Sequence, residues 1–154
     1  MKAISFLIAF GIFNLSVVAQ DAGVLRKKHF NLESGIAIKG YDPVAYFTQN
    51  KAVKGKKELA VSHQAIVYYF SSPENKELFK AAPYKYEPEY GGWCAYAMGQ
   101  NGEKISVDPE TFKVLNGHLY LFYNRYFTNT LKDWNKNETT LKRNADLNWP
   151  KLFK

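Results

Sequence analysis

Cysteine is almost absent: Cys94 is the only one in 154 residues. No internal disulfide can form, and neither a Cys-x-x-Cys redox pair nor a multi-cysteine zinc site can be built. Met98 is the only methionine after the first residue, and imidazoles are limited to His29, His63 and His118. Acidic residues are outnumbered, 14 against 21 Lys and Arg, for a formal charge of +7. Paired carboxylates for acid–base chemistry are not evident, since Glu87 and Glu89 are separated by Pro88 in a sequence that favours a loop. The chain has no glycine-rich phosphate loop and no nucleophile elbow. It also shows no low-complexity tract, no second domain and no internal repeat.

One apolar run stands out. Lys2 is followed by Ala3 to Val18, broken only by Ser5, Asn14 and Ser16, and then by Ala19-Gln20. A positive start, an apolar middle and a small residue before the boundary predict a signal peptide over 1–20, cut after Ala19 or Gln20. The run is short for a membrane span. The mature chain is therefore expected to be exported (periplasmic or secreted) and not membrane-spanning. Cleavage removes Lys2 and no acid, taking +7 to +6. The basic residues are dispersed along the chain, as on a solvated surface, and no nucleic-acid groove is expected. In an oxidising compartment a lone thiol is buried, liganded or reactive.

At 46% hydrophobic and 16% aromatic residues, the chain has the composition of one globular domain. Residues 21–35 are polar and mixed and read as a flexible lead-in to a domain over 36–154. Asp42-Pro43 reads as a helix start, as does Ser72-Pro73-Glu74, with Leu78 and Phe79 facing inward. Two β-rich runs turning near His63-Gln64-Ala65 predict a hairpin. Asn116-Gly117 between Phe112–Leu115 and His118–Tyr123 predicts a second. Helical spacing follows from Asn124 onward, and Trp149-Pro150 with Leu152-Phe153 forms an apolar tail that docks on the body. The expected fold is α+β: a small antiparallel sheet built from two hairpins, with short helices and a C-terminal helix packed on it.

The chemistry-bearing stretch is Tyr90-Gly91-Gly92-Trp93-Cys94-Ala95-Tyr96-Ala97-Met98. If it is helical from the glycines, Cys94 and Met98 share a face. A thiolate and a thioether, joined by His63 or His118 from a hairpin end, form a donor set for a soft metal, copper first. Cys94 near a helix start also suits a thiol-based redox protein, although a partner thiol has to be supplied from outside. Buried packing is the third reading, since Cys and Met are both good core fillers. Tyr41, Tyr46, Tyr90, Trp93 and Tyr96 are candidates for an aromatic ligand pocket.

Gly40-Tyr41-Asp42-Pro43-Val44-Ala45-Tyr46-Phe47, the Tyr69-Phe70-Ser71-Ser72-Pro73-Glu74-Asn75 segment and Tyr90-Gly91-Gly92-Trp93-Cys94-Ala95 together resemble the YHS-domain family. The match is to its exported, single-domain branch, over about 36–153. Short members of the family resemble metal-handling modules with cysteines after the Asp-Pro-Val and at the strand-to-helix junction. Here Ala45, Ser71 and Asn75 stand in those places, so only Cys94 is left to carry thiol chemistry. The resemblance implies an exported binding domain, with copper as the favoured ligand through Cys94. The alternatives are a thiol-based redox protein or an accessory interaction domain with a structural Cys94.

Overall fold

A computed structural model describes residues 22–154. The expected signal peptide lies outside the described residues. The fold is α+β, with small antiparallel hairpins and a C-terminal helix, as the sequence pattern implies. A first helix, α1, covers 22–29 and is followed by β1 (Leu32–Glu33), β2 (Ile36–Ala37), α2 (Ala45–Thr48), β3 (Lys56–His63) and β4 (Ile66–Phe70). Helices α3 (Pro73–Ala81), α4 (Pro83–Tyr86) and α5 (Ala95–Asn101) lead to β5 (Asp108–Leu115) and β6 (His118–Phe122). A ribbon of β7 (Asn124–Arg125) and β8 (Thr128–Asn129), then α6 (Thr130–Lys136) and α7 (Glu138–Asn148), complete the chain before a 3-10 turn at Trp149–Phe153.

Three expectations are corrected. The two hairpins do not share a sheet: β3–β4 lies in a four-stranded sheet ordered β1-β2-β4-β3, whereas β5–β6 stands alone. The expected lead-in carries α1, held by an ion pair from Arg26 to Glu87 at 2.5 Å, a partner 61 residues away that local pattern cannot show. Leu78 is exposed while Phe79 is fully buried, because α3 presses only one narrow face on the sheet.

Local chemistry explains most element boundaries. Ser72 caps α3 by accepting from the Asn75 amide, with Pro73 in the first turn. Asn116 and Gly117 both take positive φ in the β5–β6 turn, which matches strand twist. Two buried clusters divide the interior, both built from the described residues. One joins Tyr68, Phe70 and Phe79 to Leu119 and Leu121, and the other centres on Trp134 with Met98, Tyr120 and Phe122. Helix α5 crosses α7 closely at Gly99, where a Cβ would lie 2.3 Å from the Leu141 carbonyl oxygen, so no larger residue fits.

The structure also holds an internal repeat that the sequence does not display. Strands β5 and β6 follow β3 and β4 at a constant offset of 52 residues, 108 less 56 and 118 less 66. The pairing recurs with it: Val61↔Tyr68 matches Lys113↔Tyr120, and the parallel contact Ile36↔Val67 matches Pro88↔Leu119. A left-handed turn at Ile38-Lys39-Gly40 recurs at Tyr90-Gly91-Gly92, each closed by an amide back to the first carbonyl. The Asp42 amide donates to Val53 O, and the Cys94 amide donates to Ile105 O. Gly40/Gly92, Ala45/Ala97, Tyr68/Tyr120 and Phe70/Phe122 are among the few identities at this offset. The repeat keeps burial and backbone sign while exchanging side chains, which hides it from composition and motif.

The hub of the first copy is Asp42, whose carboxylate is fully buried. It accepts from the Val44 and Ala45 amides at 2.9 and 3.4 Å, the Ser71 amide at 2.8 Å, Ser71 Oγ at 2.6 Å and Asn75 Nδ2 at 2.7 Å. Ser71 and Asn75 are thus donors to this carboxylate. Asp42→Asn keeps the shape but turns an NH2 toward a donor and removes the charge. It is expected to destabilise the fold by about 3 kcal/mol in urea unfolding; a loss below about 1 kcal/mol would show that the network is not a hub.

Candidate functional site

Cys94 occupies in the second copy the place that Asp42 holds in the first. The chain reaches it through Tyr90, Gly91 and Gly92, all at positive φ (54°, 60° and 82°). Gly91 is required twice over, by its backbone sign and because a Cβ there would lie 2.7 Å from the Trp149 ring. The left-handed turn delays α5 until Ala95, so Cys94 sits at the helix cap and not inside a helix that begins at the glycines.

The sulfur is fully buried. Sγ accepts from the Tyr123 amide at 3.4 Å and lies 3.4 Å from Thr130 Oγ1. The Thr130 hydroxyl donates its one proton to the Tyr123 carbonyl at 2.9 Å, so the thiol S–H is the donor toward Thr130 Oγ1. Asp42 and the Ser71 amide are 29 residues apart, as are Cys94 and the Tyr123 amide. Five donors take up the Asp42 carboxylate, whereas Cys94 lines a pocket of about 430 Å³. Tyr96, Ala97, Ile105 and Tyr123 wall it, and exposed Gln100, Asn101 and Glu103 stand at its mouth. Such a site offers apolar contact on its sides and a few polar atoms at its base, the general form of a small-ligand pocket.

The other candidates are dispersed. Met98 is fully buried in the Trp134 cluster, while Cys94 belongs to the other cluster, so the two sulfurs serve different cores. His63 stacks edge-on against Phe79 and Tyr84, at 6.0 and 5.1 Å, and its Nε2 is buried without a partner. His118 is exposed and bonds Glu89 through Nδ1 at 2.6 Å. It sits three residues along β6 from Leu121, the strand neighbour of Cys94, a separation of about 10 Å. Among the described residues no three His, Cys, Asp or Glu side chains gather as a metal site. A thiol, a hydroxyl and a backbone amide donor at the pocket floor do not fit a copper ion, which needs further soft or imidazole ligands.

Of the five aromatic candidates only Tyr96 lines this pocket. Tyr46 and Tyr90 are buried, donating to Pro109 O at 3.0 Å and Asp146 Oδ1 at 2.9 Å. Burial pushes both hydroxyls far above the ordinary tyrosine range. Tyr41 donates to Glu110 at 3.0 Å under the Lys54 ammonium, and Trp93 donates to the His29 carbonyl at 2.6 Å. Thr130, Tyr123, Ala97 and Ile105 were not legible as site residues, since no local motif marks them. Only the position of Thr130 after the second hairpin, in the role of Asn75 after the first, could have pointed to it.

Compared with protein-family models, curated proteins and solved structures, the chain matches none.

Burial lowers the pKa of His63, the neighbouring Arg26 adds to the fall, and Glu87 opposes it. The folded state therefore favours the neutral ring. The unfolded chain binds the proton first, near the ordinary value of 6.5, so stability is lost as pH falls through 6.5 toward the lower folded value. His63→Gln is expected to flatten the urea midpoint between about pH 7 and pH 5. An unchanged slope would assign the acid sensitivity elsewhere, first to His29, whose pKa burial and Lys104 also lower.

Proposed function

We propose that this is an exported, non-enzymatic binding domain of the YHS kind that takes a small, largely apolar ligand into the Cys94 pocket. One observation carries the reading: a cavity of about 430 Å³ stands over Cys94 at the position that a saturated carboxylate network fills in the first copy. The resemblance of the Gly-Tyr-Asp-Pro and Gly-Gly-Trp-Cys-Ala segments supports the family assignment, and the N-terminal apolar run supports export. Cys94 and Thr130 form the buried polar base of the pocket, while Tyr96, Ala97, Ile105 and Tyr123 give a ligand area. No second thiol is present to resolve an oxidised Cys94, and no imidazole lines the pocket to complete a copper site. The binding reading is therefore favoured over the redox and metal readings.

The anionic dye 1-anilinonaphthalene-8-sulfonate serves as the probe. Saturable fluorescence with one site per chain is expected in the micromolar range, about −7 to −8 kcal/mol. Ala97→Phe fills the pocket from the half-exposed wall of α5 and is expected to weaken the dye at least about tenfold, close to 1.4 kcal/mol, without lowering the melting temperature. Dye binding untouched by Ala97→Phe, or none at all, would reject the pocket. Protection of Cys94 from a thiol reagent by equimolar Cu(I) would restore the metal reading instead.

A further inference from the structure

We infer that the β7–β8 ribbon is an anchor for an anionic lipid surface. The inference is separate from the pocket reading and uses none of the pocket residues. It starts from what the second copy adds to the repeat. In the first copy, Asn75 returns to the site four residues after Ser71. In the second copy, Thr130 returns seven residues after Tyr123, and a ribbon over Asn124–Asn129 lies between. Arg125 pairs with Thr128, so the tip is the two residues Tyr126-Phe127.

That tip makes no contribution to the core. Tyr126 is 93% exposed and Phe127 wholly so. Tyr126 takes φ +56° at the first tip position, where the turn geometry favours glycine. A bulky aromatic is thus held in a disfavoured backbone while almost wholly exposed. Strain of this kind concentrates at functional positions.

Charge identifies the partner. Arg125 on the ribbon and Lys132 just beyond it in α6 are exposed, and neither forms an ion pair among the described residues. The nearby Asp133 is paired with Lys136, and Glu138 with Lys113. The chain from residue 21 onward is +6, the full +7 less Lys2. Two rings flanked by two free cations match a bilayer interface, where aromatic side chains sit at headgroup depth and basic residues meet anionic lipid. A protein partner fits less well. Two side chains of about 150–250 Å² each reach at most the lower edge of the roughly 500 Å² per partner that a specific interface needs.

The test uses residues 21–154, which contain both cores, and sedimentation with vesicles of phosphatidylcholine alone or with one part phosphatidylglycerol to two parts phosphatidylcholine. The domain is expected to partition at least about tenfold better onto the anionic vesicles, with the gain lost in high salt. Tyr126→Gly with Phe127→Ser should reduce that partition about tenfold while leaving the melting temperature unchanged or raised, because glycine suits the turn. Arg125→Gln with Lys132→Gln should reduce it several-fold. No sedimentation with either vesicle would overturn the proposal, as would a tip variant that binds like the parent. A concentration-dependent dimer that the tip variant abolishes would overturn it too, by assigning the tip to a second copy of the chain.

Discussion

A carboxylate taken wholly out of water is tolerable only when donors meet it on every side. Asp42 is met by the first turn of α2, by the end of β4 and by the start of α3. These are three separate segments of chain, and the charge fixes their mutual position more tightly than apolar contact could. The constraint also explains the residues at Ser71 and Asn75. A thiol at either place would replace a strong donor with a weak one and leave carboxylate oxygen short of partners.

The second copy keeps the backbone of that arrangement and changes its occupant. The amide that follows the hairpin still points to the residue two places after the left-handed turn, and the separation of 29 residues is preserved. A neutral sulfur makes no comparable demand for donors. It accepts from one amide and donates to one hydroxyl oxygen, both at 3.4 Å, and sulfur forms only weak bonds in either role. Nothing compels the following segment to close over it at once, and the chain runs through a ribbon before Thr130 returns. The cavity over Cys94 is what remains when a neutral, weakly bonded group replaces a charged one in the same cradle.

The parts of the fold that rest on local chemistry were legible in the sequence. Ser72-Pro73 starts α3 and Asn116-Gly117 turns β5 into β6, because those residues favour those backbones wherever they occur. The parts that rest on tertiary compensation were not. Ile38 is β-branched and sits at φ +51°, a conformation no propensity would assign it, and Gln64-Ala65 turns a hairpin without glycine. Helix α1 depends on Glu87, far along the chain. The shared face expected of Cys94 and Met98 failed for the same kind of reason. The two glycines sustain a left-handed turn, not a helix, and this moves Cys94 to the cap. Sequence marked the aromatic residues as amphipathic packing groups, but not which of their polar ends were free to meet a ligand. The hydroxyls of Tyr46 and Tyr90 and the indole NH of Trp93 are each taken by a distant acceptor, which only the fold reveals.

Backbone strain separates the structural positions from the ribbon tip. Ile38 and Tyr90 are both left-handed and both nearly fully buried, so the packing of their side chains offsets a conformational cost of about 1–2 kcal/mol each. Gln64 is exposed but bonds the Tyr84 hydroxyl. Tyr126 has neither form of compensation, since its ring is in water and no side-chain bond holds it among the described residues. Its neighbour Phe127 adds a second fully exposed ring. Within the fold the pair is a net loss, because a glycine at the tip would turn the ribbon with less strain and a serine would be better solvated. An apolar surface outside the chain, on the side where the ribbon projects, would offset that loss.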